Sequence, residues 1–116
     1  MATRLAQVCL FKEDGRALRR FCEITSGRVE VDNGELLSFH MGTASVAHHK
    51  PAGVLAENDV LVTLEVDGPQ AVDRIYASLL SAGLNVDDEP EDTDWGWRVF
   101  YFRAGEHLLF EVGAPR

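Results

Sequence analysis

Residues 60–83 read VLVTLEVDGPQAVDRIYASLLSAG, and the punctuation of this stretch decides the fold. Val60 to Val66 is a β-prone run, Asp67-Gly68-Pro69 turns the chain, and Pro69 suits the first turn of a helix, where its missing N–H has no intrahelical partner to lose. From Gln70 to Ala82, the residues Ala71, Val72, Ile75, Leu79 and Leu80 recur at helical spacing and predict a buried stripe; Gly83 then closes the helix as a left-handed cap requires. Further on, Asn85 to Asp94 is strongly acidic, contains Pro90, and reads as a solvated edge strand or loop. Trp95-Gly96 turns the chain and Trp97 to Arg103 alternates as a strand. Ala104-Gly105-Glu106 turns again, His107 to Val112 is the last strand, and Gly113 to Arg116 is a tail.

The same order stands upstream. Arg4 to Lys12 reads as a strand ended by Glu13-Asp14-Gly15, and from Arg16 the residues Ala17, Leu18, Phe21 and Cys22 mark the apolar side of a helix of ~2.5 turns. Arg28 to Asp32, Asn33-Gly34 and Glu35 to Met41 form a hairpin signal; Gly42-Thr43 breaks it, and Ala44 to His49 is a further short strand. Sliding the chain against itself by 54 positions places Leu10 on Leu64, Leu18 on Val72, Phe21 on Ile75 and Cys22 on Tyr76. Each half therefore reads β-α-β-β-β, with module one at 1–50, a linker at 51–58 and module two at 59–116. Neither half alone buries enough apolar surface, so the two are expected to share one core in a single domain. A crossover helix covers only one face of each half-sheet. The other face is left to curl around a hollow, the expected ligand site.

Composition narrows the function. The 116 residues are 46% hydrophobic and 26% charged, as in ordinary globular proteins. Nineteen acidic side chains against eleven basic ones give a formal net charge of -8, which repels phosphate backbones and argues against a nucleic-acid partner. The acid excess either favours a cationic ligand or serves solubility alone. Without a signal-like start or an apolar run near the ~18 residues that span a bilayer, a cytoplasmic protein with no membrane partner is expected. Cys9 and Cys22 fall in a strand and a helix, where a reduced thiol acts as a small hydrophobe. No nucleophile with an adjacent base, no phosphate-cradling glycine loop and no cysteine pair at metal spacing is visible.

The paired repeat, the Trp95-Gly96-Trp97-Arg98 motif entering an apolar strand, and the final run Leu108-Leu109-Phe110-Glu111-Val112-Gly113 resemble the vicinal oxygen chelate superfamily, which includes glyoxalase I, extradiol dioxygenases and bleomycin-resistance proteins. The acidic balance and these two motifs look most like the bleomycin-resistance branch, although Arg103-Ala104-Gly105-Glu106-His107 stands where the family has an acidic-Pro-x-Gly-Asn turn. The resemblance implies an α+β fold of two βαβββ modules forming a cupped, mostly antiparallel sheet. It also implies a homodimer. Metal-using members carry a ligand on the first and last strand of each half, positions matched here to Gln7, His48, Leu61 and Glu111. Leu61 cannot ligate, which favours a protein without a metal cofactor; the alternative is a divalent ion held by Gln7, His48 and Glu111.

The expected ligand-binding residues are Gln7, Leu61, Trp95, Trp97, Arg98 and Glu111. Strand alternation around Gly96 sends one tryptophan into the hollow and the other to the exterior, unless both fill core space. Glu111 interrupts an apolar strand and, facing the hollow, would partner a cation or act as a base if the protein is an enzyme. His48 and His49 point to opposite sheet faces and cannot chelate one ion together; His40 and His107 read as structural histidines. The leading functional reading is a non-catalytic small-molecule binder that sequesters an aromatic or cationic compound. A metal-dependent lyase, isomerase or dioxygenase of the glyoxalase type is the alternative.

Overall fold

The alternating runs of the sequence become strands wherever one face can be buried. The computed structural model describes residues 3–11, 15–50, 58–84, 86 and 88–116. Its elements are β1 (Arg4–Leu10), α1 (Gly15–Ile24), β2 (Arg28–Asp32), β3 (Leu36–Met41), β4 (Ala44–His49), β5 (Val60–Glu65), α2 (Pro69–Ser81), β6 (Glu91–Asp92), β7 (Trp97–Arg103) and β8 (Leu108–Pro115). The strand end at Lys12, the turn residues Glu13 and Asp14, most of the linker at 51–57, and Asn85 and Asp87 of the acidic run lie outside the described residues.

All eight strands join one α+β sheet in the order β2-β3-β4-β1-β5-β8-β7-β6. The parallel pairings are β1 with β4 and β5 with β8, one inside each repeat, and the others are antiparallel. The repeats meet at an antiparallel seam between β1 and β5, where Gln7 pairs with Thr63 and Cys9 with Leu61.

Alternation sorts the side chains onto two faces. On one face α2 packs Ala71 and Val72 against Val66, Phe100, Val112 and Ala114, while α1 packs Cys22 and Leu18 against Leu37 and Phe39. The opposite face carries a separate apolar layer of Cys9, Phe11, Ala47, Leu61 and Leu109, drawn from both repeats. Arg103 donates from Nη1 to Asn58 Oδ1 at 2.9 Å and secures fully buried Asn58 beside this layer.

The helices end as their glycines require. Gly68, at φ 104°, delivers Pro69 to the start of α2, and Gly83, at φ 80°, lets Leu84 N–H reach back to Leu79 C=O at 3.1 Å. Three expectations are corrected. Leu80 stands 47% exposed on α2 instead of joining its buried stripe. Ala17 and Phe21 lie on the exposed side of α1, Phe21 at 61% exposure, because the sheet touches only the narrow Leu18–Cys22 stripe of this short helix. Gly113, Ala114 and Pro115 continue β8 instead of forming a tail, since β7 runs far enough to pair Val99 with Gly113 and Trp97 with Pro115.

Candidate ligand-binding site

The face away from the helices acquires its chemistry from cross-strand register. Ser45 on β4, Gln7 on β1, Thr63 on β5, Glu111 on β8 and Tyr101 on β7 stand in one continuous row of paired residues. One step along each strand pair lies the apolar row Ala47, Cys9, Leu61 and Leu109. A polar row thus runs beside an apolar floor. Gln7, Thr63, Glu65, Trp95, Trp97 and Glu111, with Ala6, line a cavity of ≈ 250 Å³ on this face.

Glu111 is fixed at both oxygens. The Thr63 hydroxyl donates to Oε1 at 3.0 Å and the Tyr101 hydroxyl to Oε2 at 2.9 Å. Burial, and then the neighbouring Glu111 charge, hold the Tyr101 phenol well above its ordinary value, so it remains a donor to the carboxylate at neutral pH. No arginine, lysine or histidine forms an ion pair with Glu111 among the described residues. The carboxylate is oriented but not neutralised. Gln7 makes no side-chain hydrogen bond to any described residue, which leaves its amide free to donate and accept within the cavity.

The tryptophans form the wall. Both rings line the same cavity instead of opposite faces, because residues two apart share a side: Trp97 opens β7, and Trp95 stands in the turn before it, which passes through Gly96 at φ 88°. Trp97 sits low because β8 offers a glycine beneath it: a Cβ on Gly113 would meet Val99 Cγ1 at 2.9 Å and Trp97 Cε3 at 3.1 Å. Trp95 is 62% exposed and stands at the rim.

The structure therefore brings Gln7, Trp95, Trp97 and Glu111 together and sets the other expected residues apart. Leu61, at 8% exposure, belongs to the apolar floor and not to the cavity lining. Arg98 points to the helix face, where it bonds Asp73 of α2 at 2.8 Å and Asp92 of β6 at 2.9 Å. His48 also lies on the helix face, because it pairs with Leu37 on β3 and Leu10 on β1. It lines a different cavity of ≈ 320 Å³ beside the start of α1, and its buried Nε2 has no hydrogen-bond partner among the described residues.

Thr63 and Tyr101 were missed, and register explains why. The repeat offset aligns Leu61 with Gln7, but the antiparallel seam places Thr63 directly opposite it, so Thr63 stands between Gln7 and Glu111. The row on this face across β4, β1, β5 and β8 is therefore Ser45, Gln7, Thr63 and Glu111: two alcohols, one neutral amide and one carboxylate already committed to two hydroxyls. Such a donor set lacks the imidazoles and thiolates of a zinc site, and its one carboxylate is already held by two hydroxyls. Among the described residues no three His, Cys, Asp or Glu side chains are grouped to hold one.

A single sheet built from two βαβββ repeats, with helices on one face and a cavity on the other, is the fold of the glyoxalase/bleomycin resistance/dioxygenase superfamily. The chain is similar to a superfamily member from Vibrio splendidus, with TM-score 0.64 and 11% identity over 97% of this chain and 99% of that one. It is also similar to a hypothetical protein from Bacillus halodurans, with TM-score 0.71 and 10% identity over 100% of this chain and 96% of that one. The Mn(II)-bound glyoxalase from Novosphingobium aromaticivorans matches with TM-score 0.61 and 21% identity; 97% of this chain covers 38% of that larger one. No protein-family profile and no curated protein sequence matches the chain.

Proposed function

We propose that this protein is a metal-free, non-catalytic binder of small aromatic cations, in the manner of the drug-sequestering members of its fold. The observation that carries the reading is Glu111: a carboxylate oriented by Thr63 and Tyr101, without a protein cation, on a cavity walled by Trp95 and Trp97. Desolvating such a charge is unfavourable unless an opposite charge arrives, and indole faces attract the same cations for about 0.5 to 2 kcal/mol each. Gln7 adds a hydrogen-bonding group beside the carboxylate. The same reading takes the protein as a cytoplasmic homodimer. Two cysteines that are buried and unpaired support the first half of that statement, and exposed apolar residues on α1 support the second.

Titrating the protein with benzyltrimethylammonium while following tryptophan emission tests the core of the proposal. Saturable quenching is expected in the wild type, with affinity at least about tenfold weaker in Glu111→Gln, because the charge is lost while the hydroxyl partners are kept. Equal affinity in both proteins, or flat traces in the wild type, would sink it.

A further inference from the structure

A second cavity, of ≈ 220 Å³, adjoins the first on the same face; Ala6 and Glu65 line both. Apart from Glu65, its polar groups, among them Arg4, Glu30, His40 and Ser45, come from module one. Glu30 leaves a register shift in β2 and reaches over the sheet, so that its Oε1 accepts hydrogen bonds from the hydroxyls of Ser38 on β3 and Ser45 on β4. Its Oε2 accepts no hydrogen bond from any described residue; His40 Nδ1 lies 3.5 Å from it, and the more distant Arg28 charge also acts on the carboxylate. The other carboxylate in this cavity, Glu65, is already bound to Arg4 at 2.7 Å. Like Glu111, Glu30 is a carboxylate braced by two hydroxyls, but both hydroxyls bond its Oε1, whereas those on Glu111 take one oxygen each. Ser45, Gln7 and Thr63 are consecutive in the row that links the two, and the Gln7 amide stands one strand from Ser45 and two from Glu111.

We infer that the two cavities form one elongated site for a linear aromatic polyamine, with an aromatic ammonium head between the tryptophans and Glu111, a polar group at Gln7, and a second ammonium at Glu30. The inference rests on the aromatic-cation reading of the Glu111 cavity and names the ligand class more narrowly. Three interstrand spacings separate Ser45, which holds Glu30, from Glu111, or about 14 Å along the sheet. A single ring cannot span that distance. A ring carrying an extended aminoalkyl chain can.

Calorimetric titration of the full-length protein with an N-benzyl-α,ω-diaminoalkane series of increasing chain length, beside benzyltrimethylammonium as the one-charge probe, tests this. Affinity should pass through a maximum at the chain length that reaches Glu30, about tenfold or more above the one-charge probe. Glu30→Gln should bring the best diamine down to the affinity of its shorter relatives. A wild-type series with no dependence on chain length overturns the elongated site and leaves the aromatic-cation reading standing. Failure of every probe, benzyltrimethylammonium included, overturns both. The wild-type series decides even if the Glu30 variant folds poorly.

Discussion

Cys9 shows how a side chain read only as core filler takes part in the electrostatics of the site. It is 4% exposed on the apolar floor, diagonal to Gln7 and Thr63. Burial pushes its thiol from 9.0 up to about 11; a hydrogen bond with the backbone of His49 pulls it down, and the Glu111 charge adds a smaller upward push. A raised folded-state value means that the stabilising contribution is complete below pH 9 and is lost as pH rises from 9 toward 11, where the unfolded chain releases its proton and the folded one does not. The wild type should therefore lose up to about 2 kcal/mol over that window, beyond what Cys9→Ala loses, when denaturant unfolding is compared at pH 8.5 and 10.5. Parallel losses in the two proteins would show that Cys9 ionises freely in the fold. At this scale the sequence announced Glu111 by its interruption of an apolar strand, and Trp97 by its alternation. Thr63, Ser45 and Glu30 gave no such signal, because a short hydroxyl in a strand and one acid among nineteen look alike wherever they fall.

Between elements, the two helices differ in how much they are asked to cover. α2 buries Ala71 and Val72 fully and partly buries Ile75, Tyr76 and Leu79, whereas Leu80, the last member of the predicted stripe, stands 47% exposed. α1 buries only Cys22, and Phe21 and Ile24 stand 61% and 67% exposed, as does Val29 of the edge strand β2 at 49%. The same helical periodicity therefore drew both stripes too wide, by Leu80 on α2 and by Ala17 and Phe21 on α1: periodicity shows that a helix has an apolar side, not how much of that side the sheet can reach. Apolar side chains left together on a helix and a free sheet edge are the kind of surface a second copy covers. Light scattering on the eluting peak at micromolar concentration should give twice the chain mass, and Phe21→Lys combined with Ile24→Lys should return the chain mass. A monomeric wild type would contradict the homodimer.

For the whole molecule, the seam between β1 and β5 decides whether two repeats make one protein. Strand and helix order were legible throughout because each half repeats the other, and β4 and β7 fall where alternation placed them. Which residues face each other across the seam was not legible, since a repeat offset says nothing about antiparallel register. Leu61 illustrates the consequence: expected at the ligand, it instead packs with Cys9, Phe11, Ala47 and Leu109 and so ties module two to module one. Each helix packs within its own half, so on the face away from the helices this floor is the apolar layer shared by both repeats. Leu61→Ala should then lower stability by about 2 to 4 kcal/mol through the cavity it leaves, and it should do so for both halves at once. Tryptophan emission reports module two and thiol labelling of Cys22 reports module one, so the two unfolding curves should shift together and remain coincident. Curves that separate, with only the tryptophan transition moving, would mean that the repeats fold as independent units and that the shared floor contributes little to either.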